Sequence, residues 1–123
     1  MFDLTAEEAR LLLNIALMAV GRNRFRSAAK ILAALDGFRS DSPQLAVTKA
    51  IALMSALQYA DALDFLEVDA LRHFPGNPML MAFRGMALLR LNRAEDAQPV
   101  LVEVARQTDD SAAAQLAEGL LKG

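Results

Sequence analysis

The side chains that could carry acid–base or metal chemistry are few and scattered. His73 is the only histidine, and the chain has no cysteine, so a thiolate or multi-histidine metal site is excluded. Four acids, at Asp61, Asp64, Glu67 and Asp69, fall on one predicted helix, and we interpret them as a solvated face. No nucleophile, base and orienting group occur together, and no glycine-rich phosphate loop is present. We therefore expect no catalytic residues, no metal ligands and no cofactor.

The charged residues give no sign of a nucleic-acid partner. The formal net charge is −2, so no basic surplus exists to neutralise phosphates. Arg22, Arg24 and Arg26 form a small basic turn, which we interpret as solubilising or as a contact for an acidic partner. Asp109 and Asp110 precede a predicted helix and are expected to cap it.

The distribution of apolar residues argues against export and against membrane insertion. Residues 1–8 are acidic before the chain turns apolar, which is the reverse of a secretory signal. The longest apolar run, from Leu11 to Val20, contains Asn14 and is far shorter than a membrane span. We expect a cytoplasmic protein.

The elements that would position these residues are helices. Hydrophobic residues make up 54% of the chain, and they are mainly alanine and leucine with few β-branched residues, a composition that favours helix over strand. Three start signals stand out: the capping box of Thr5 and Glu8, and the cap-plus-proline pairs Ser42-Pro43 and Asn77-Pro78. The sequence predicts an all-α fold with helices at about 6–20, 25–35, 43–57, 60–73, 78–91, 94–107 and 112–121.

The segments between these helices carry turn or breaker residues. We expect Gly21 to close the first helix and Pro99 to delay or bend the start of the sixth. The predicted breaks are Arg22–Arg24, Asp36-Gly37 with the loop Phe38–Asp41, Gln58-Tyr59, Phe74–Gly76, Leu91–Arg93 and Thr108–Ser111.

Small residues recur at regular intervals. Ala16 and Ala28, Ala50 and Ala62, and Gly85 and Ala97 are each twelve positions apart, and the second members follow one another at 34 and 35 residues. Small side chains let two antiparallel helices approach closely, and a period near 34 is typical of stacked helix–turn–helix repeats. The sequence predicts one domain, residues 1–123, with repeats at about 5–37, 42–75 and 77–108 and a capping helix at 110–122. An unrelated small helical bundle is the alternative.

Over residues 8 to 109 the pattern resembles the tetratricopeptide repeat family. The small residues above match that family's small positions, and further matches are an aromatic residue after the turn and a bulky residue later in each second helix: Phe25, Tyr59, Leu32, Leu66 and Leu101. The family's early tryptophan is missing from all three repeats, and its closing proline is only approximated by Pro43, Pro75 and Pro78. The resemblance implies three degenerate tetratricopeptide hairpins plus a C-terminal capping helix, an α-solenoid.

Within that family, the size and layout are similar to the tetratricopeptide-type chaperones of bacterial type III secretion. The class that holds the needle subunit with a small helical co-chaperone fits the chain length best. The resemblance implies a bacterial cytoplasmic chaperone without enzymatic activity, with a needle subunit and a small helical co-chaperone as partners.

The first helix of each repeat has a second apolar face that its own hairpin does not require. In a tetratricopeptide superhelix that face lines the concave surface, so we expect an apolar groove that binds an amphipathic helix of a secreted or self-polymerising partner. The predicted groove residues are Leu13, Leu17, Val20, Val47, Ile51, Met54, Met79, Ala82, Met86 and Leu89.

Several other interpretations of the same residues stay open. The apolar face could be ordinary core, covered by a terminal helix or by a second copy of the chain. The function could instead be that of a chaperone for a type III translocator, a homo-oligomeric repeat scaffold, or a small helical regulator.

Overall fold

The computed structural model describes residues 5–35, 42–107 and 109–123, and within these ranges the chain is helical with no strand. The prediction of an all-α fold is therefore confirmed. No helix in the described part of the chain combines the length and apolar character that crossing a membrane requires.

The helices follow the predicted order, and their ends differ from the expected ones by at most two residues. The fourth helix, residues 59–73, is continuous but changes character: Tyr59–Asp64 is α-helical, Phe65–Ala70 is π-helical, and Leu71–His73 is α-helical. The full set is α1 Ala6–Gly21, α2 Phe25–Ala34, α3 Pro43–Ser55, α4 59–73, α5 Pro78–Arg90, α6 Ala94–Gln107 and α7 Ser111–Lys122.

The predicted capping residues are confirmed at the starts of four helices. Thr5 and Glu8 form a reciprocal capping box on α1. Ser42 Oγ accepts the N–H of Leu45 at 3.4 Å at the start of α3. At the start of α5, Asn77 Oδ1 accepts the N–H of Leu80 at 3.1 Å. At the start of α7, Asp110 Oδ1 accepts the N–H of Ala113 at 3.1 Å. Each cap pairs a backbone donor that a helix start would otherwise leave unpaired.

The residue that closes α1 is not the predicted one. Gly21 remains helical, and the left-handed residue is Asn23, with φ at 60°. The N–H of Asn23 donates to the C=O of Val20 at 2.9 Å, and the N–H of Arg24 donates to the C=O of Ala19 at 2.8 Å. These two bonds are those of a Schellman motif.

The same two hydrogen bonds recur after α3 and after α5. Leu57 and Asn92 are the left-handed residues, with φ at 63° and 62°. The donor–acceptor pairs are Leu57 to Met54 at 3.0 Å, Gln58 to Leu53 at 2.9 Å, Asn92 to Leu89 at 3.0 Å and Arg93 to Leu88 at 2.8 Å. The three left-handed residues are therefore 34 and 35 positions apart, the intervals seen for the small residues. The turn predicted at Gln58-Tyr59 is shifted back, because Tyr59 already belongs to α4.

Two irregular features lie inside helices. Pro99 neither delays nor ends α6, which begins at Ala94 and continues through it. The π-helical segment Phe65–Ala70 of α4 was not predicted, since an inserted residue per turn has no clear signature in a single sequence. The breaks predicted at Asp36-Gly37 and at Phe38–Asp41, and Thr108 of the last break, lie outside the described residues.

The helices divide into two compact units, one ending at Gln58 and the other beginning at Tyr59. In the first unit, α1 packs on α2 and α3, and α2 packs on α3. In the second, α5 packs on α4, α6 and α7, and α6 packs on α7. The largest fully buried side chains are Leu13 and Leu35 in the first unit and Leu66, Leu80, Leu88 and Leu101 in the second. The predicted repeat boundaries and the single domain stay predictions.

Candidate protein-binding surfaces

Two of the four acidic residues that were considered for chemistry are engaged in ordinary surface interactions, and the other two are exposed. His73 Nδ1 lies 3.0 Å from Asp69 Oδ1, one turn earlier on α4, and 2.9 Å from the backbone oxygen of the same residue. Glu67 Oε2 accepts from Arg84 Nε at 2.9 Å, which joins α4 to α5. Asp61 and Asp64 are exposed. Residues 5–35, 42–107 and 109–123 contain no group of three or more potential ligands that could hold a metal ion.

In the first unit, the predicted groove residues divide into core and surface. Leu13 is 1% exposed and Met54 is 8% exposed, so these two side chains belong to the core. On α1, Leu17 and Val20 are half-buried. Ile51 on α3 is 37% exposed. The surface part of this prediction therefore consists of Leu17, Val20, Val47 and Ile51, on two helices that pack against each other.

In the second unit, the predicted residues all lie on α5. Ala82 is fully buried, and its methyl group serves packing rather than recognition. Met79, Met86 and Leu89 are half-buried and keep part of their side chains accessible. Methionine is unbranched and polarisable, so two of these three side chains can adapt to the shape of an apolar ligand.

A cleft of about 370 Å³ in the second unit was not singled out in the sequence. Its wall combines apolar residues with three carboxylates, and the lining residues are Gly76, Pro78, Met81, Glu103, Val104, Asp109 and Asp110. The start of α5 meets the end of α6 here because the two helices form an antiparallel hairpin. That hairpin was predicted, so the proximity of Pro78 to Val104 could have been inferred. One of the carboxylates, Asp110, is already used as the cap of α7.

Glu8 is a titrating group whose pKa departs from its ordinary value for a reason that the geometry explains. The hydrogen bond from the Thr5 backbone N–H, and after it the bond with the Thr5 side chain, hold the pKa of Glu8 below its ordinary value. The carboxylate is fully exposed, and it serves the start of α1 rather than any site.

The first unit contains a buried lysine whose hydrogen-bond partner lies outside its own helix. Lys49 of α3 is 8% exposed, and its Nζ donates to the backbone oxygen of Leu35 at 3.3 Å. Leu35 caps the end of α2, where carbonyl groups attract positive charge. The bond ties the side of α3 to the end of α2.

Comparisons with protein-family models, with curated proteins and with solved structures gave no match to this chain.

Proposed function

We propose that this chain is a degenerate tetratricopeptide-like protein that binds an amphipathic helix of another protein through apolar surface on the first helices of its hairpins. The observation that carries the proposal is the repetition of one turn geometry, with the same pair of hydrogen bonds, at intervals of 34 and 35 residues. Repeats of that length are typical of stacked helical hairpins, and such stacks present ligand-binding faces.

The nature of the exposed side chains supports a helical apolar ligand rather than a charged peptide tail. Leu17, Val20, Val47 and Ile51 of the first unit and Met79, Met86 and Leu89 of the second are partly accessible. Lysine, arginine and asparagine are absent from this set. An amphipathic helix recognises such a surface through apolar residues at positions i, i+3, i+4 and i+7.

This proposal favours as partner a secreted subunit that polymerises after export, as the needle subunit of type III secretion does. A small helical co-chaperone would bind the subunit together with this protein. Burial of the subunit's apolar stripe would block its premature assembly. The proposal places the protein in the bacterial cytoplasm and gives it no enzymatic step.

The test compares two exposed substitutions in the first unit. Ile51→Glu puts a charge on the proposed surface without opening the core, since the native side chain is already 37% exposed. Ser27→Glu adds the same charge to an exposed position of α2 and serves as the matched control. We expect a small partner to co-purify in stoichiometric amount with wild type and with Ser27→Glu. Capture by Ile51→Glu should fall by about thirtyfold, or about 2 kcal/mol, as at a binding hot spot.

The variants must be compared as folded proteins, with circular dichroism measured on the same preparations. A folded Ile51→Glu protein that still holds its partner would contradict the proposed surface. Met54→Glu is unsuitable as a binding test, because Met54 is nearly buried and an unpaired charge there destabilises the fold itself.

A further inference from the structure

The exposed apolar residues of α1 form one stripe on the face that points away from the core. Leu11 is 60% exposed, Ile15 42% and Met18 60%. Their spacing of four and three residues places them within about 60° of one another on a helix with 3.6 residues per turn. The opposite face of α1 is fully buried, with Ala9 and Ala16 at 0% exposure. A continuous apolar stripe in this position lacks the polar character usual for a solvated helix face.

On α3, the residues equivalent to the stripe are covered. Moving 34 positions along the sequence leads from the stripe to Leu45, Lys49 and Ala52, and all three are buried. The Lys49 bond to the backbone oxygen of Leu35 joins the middle of this face to the end of the preceding helix, α2, which packs on α3. The second copy of the face therefore has a helix as its cover.

On α5, the equivalent residues are covered in the same way. A further 35 positions lead to Leu80, Arg84 and Ala87. Leu80 and Ala87 are fully buried, and Arg84 pairs with Glu67 of α4. In both later copies, then, the face packs against a helix and a basic side chain in its middle bonds to that helix. On α1 the middle position is Ile15, an apolar residue that is 42% exposed.

The charges at the two ends of the stripe are of opposite sign. Glu7 lies at the start of α1 and Arg22 directly follows its end, and both are exposed. If a second α1 runs antiparallel, with a two-fold axis between Asn14 and Ile15, Glu7 of each copy faces Arg22 of the other. Leu11 then faces Met18 of the other copy. The stripe is complementary to itself both in apolar contacts and in charge, which is the requirement for a two-fold interface.

We propose that the outer face of α1 is a homodimer interface in which two copies of the chain pair their α1 helices antiparallel. Each α1 is about 24 Å long, so the contact lies near the lower end of specific interface areas. We expect a dissociation constant of about micromolar order, so association must be followed over a wide range of protein concentration.

The sharpest test uses charge reversal at the two ends of the stripe. In Glu7→Arg, two arginines face each other at both ends of the dimer, and in Arg22→Glu two acidic residues do so. We expect each variant alone to dimerise at least about tenfold more weakly than wild type in sedimentation equilibrium. Mixed in equal amounts, the two variants regain both opposite-charge pairs. The mixture should therefore form a heterodimer of near wild-type affinity.

Matched controls separate this pairing from general charge effects. Lys30→Glu and Glu118→Arg make the same charge changes at exposed positions of α2 and α7, and both should dimerise as wild type does. Ile15→Lys places two like charges near the two-fold axis and should give a monomer with an unchanged circular dichroism spectrum. Because the chain has no cysteine, Ile15→Cys offers a second measurement: mild oxidation should link two copies, while Lys30→Cys should stay monomeric.

Several results would overturn the proposal. A wild-type protein that is monomeric at all accessible concentrations would do so, and so would a dimer that tolerates Ile15→Lys. A mixture of the two charge-reversed variants that associates no better than either alone would exclude the antiparallel arrangement. Protection of Met18 from oxidation in a monomer would show that another segment of the chain covers the stripe, and would equally rule the proposal out.

Discussion

The α1–α2 hairpin of the first unit and the α5–α6 hairpin of the second share one sequence frame in which equivalent residues are 69 positions apart. The left-handed turn residues, Asn23 and Asn92, are equivalent, and so are the buried Leu32 and Leu101. One equivalent pair differs in residue type: the first hairpin has Ala16 where the second has Gly85. Both residues are buried, but only the first position accommodates a methyl group.

The space at Gly85 does not admit a methyl group. A Cβ placed there would contact Leu101 Cδ2 and lie 2.6 Å from Leu101 Cγ, well inside van der Waals contact. Leu101 is 1% exposed, so it has little freedom to move aside. In the first hairpin a natural Ala16 is accommodated at 0% exposure. The same turn and an equivalent leucine thus occur with an alanine in the first hairpin and, in the second, with a glycine that leaves no room for a methyl group.

The largest expected effect comes from reversing that difference. Gly85→Ala should destabilise the protein by about 1–3 kcal/mol through overpacking against Leu101, even though alanine has the higher helix propensity by about 1 kcal/mol. Gly119→Ala is the control, since that glycine is exposed on α7 with no atom within 4 Å of the added methyl group. It should raise stability by about 0.5–1 kcal/mol. Urea unfolding at equilibrium measures both changes.

A double substitution identifies Leu101 as the cause. Leu101→Ala alone should cost several kcal/mol by leaving a cavity, but the cost of Gly85→Ala should be smaller when Leu101 is already alanine. If the two effects simply add, the tight packing at Gly85 does not arise from Leu101, and the comparison of the two hairpins loses its physical basis.

The turn after α3 offers the next test, because it has the same hydrogen bonds as the other two turns but a different residue in the left-handed position. Leu57 is 60% exposed, and its side chain adds little packing to offset a conformation that costs a non-glycine residue about 1–2 kcal/mol. Leu57→Asn should therefore stabilise the protein by about 1 kcal/mol. Asn92→Leu, the reverse exchange, should destabilise it by a similar amount, as judged by chemical unfolding. Equal stability of Leu57→Asn and wild type would mean that the leucine is favoured by a contact that compensates its strain.

The starts of the helices could be predicted from local chemistry, but the exposure of individual side chains could not. Thr5, Ser42 and Asn77 mark helix starts because the side chain of each accepts from the backbone N–H three residues later. The exposure of a side chain depends instead on which helix lies over it. Met54 was expected on the surface and is almost buried. Ala52 of α3 and Met18 of α1 occupy equivalent positions, but Ala52 is buried and Met18 is 60% exposed.

Two further features escaped prediction. The burial of Lys49 depends on a partner outside its own helix, the backbone oxygen of Leu35. The π-helical segment of α4 has no clear signature in a single sequence. The second face of the first helices was identified as apolar from the sequence. Its division into core residues such as Leu13 and accessible ones such as Ile51 required the packing of α1 on α3.

The smallest expected effect is a difference in the pH dependence of stability, because the first helices of the two hairpins are capped differently. The cap of α5 is the amide of Asn77, which does not titrate, whereas the capping box of α1 includes the carboxylate of Glu8. Glu8 Oε1 accepts from the Thr5 N–H at 3.0 Å, and this bond lowers the pKa of Glu8 from its ordinary value of 4.5. The folded state therefore binds the proton less readily than the unfolded state does. The contribution of Glu8 to stability is complete above pH 4.5 and is lost as the pH falls through the lowered pKa.

Glu8→Gln removes this dependence while keeping a residue that can complete a capping box. At neutral pH the variant should melt slightly below wild type, because a negative charge near a helix start is favourable. As the pH falls below 4.5 and through the lowered pKa the difference should close, since wild type loses its charge over that range and the variant has none to lose. Glu118→Gln, on an exposed position of α7, should show no such convergence. Parallel acid titration curves for wild type and Glu8→Gln would show that the capping box does not hold α1 in solution, and that the two hairpins begin with the same sensitivity to pH.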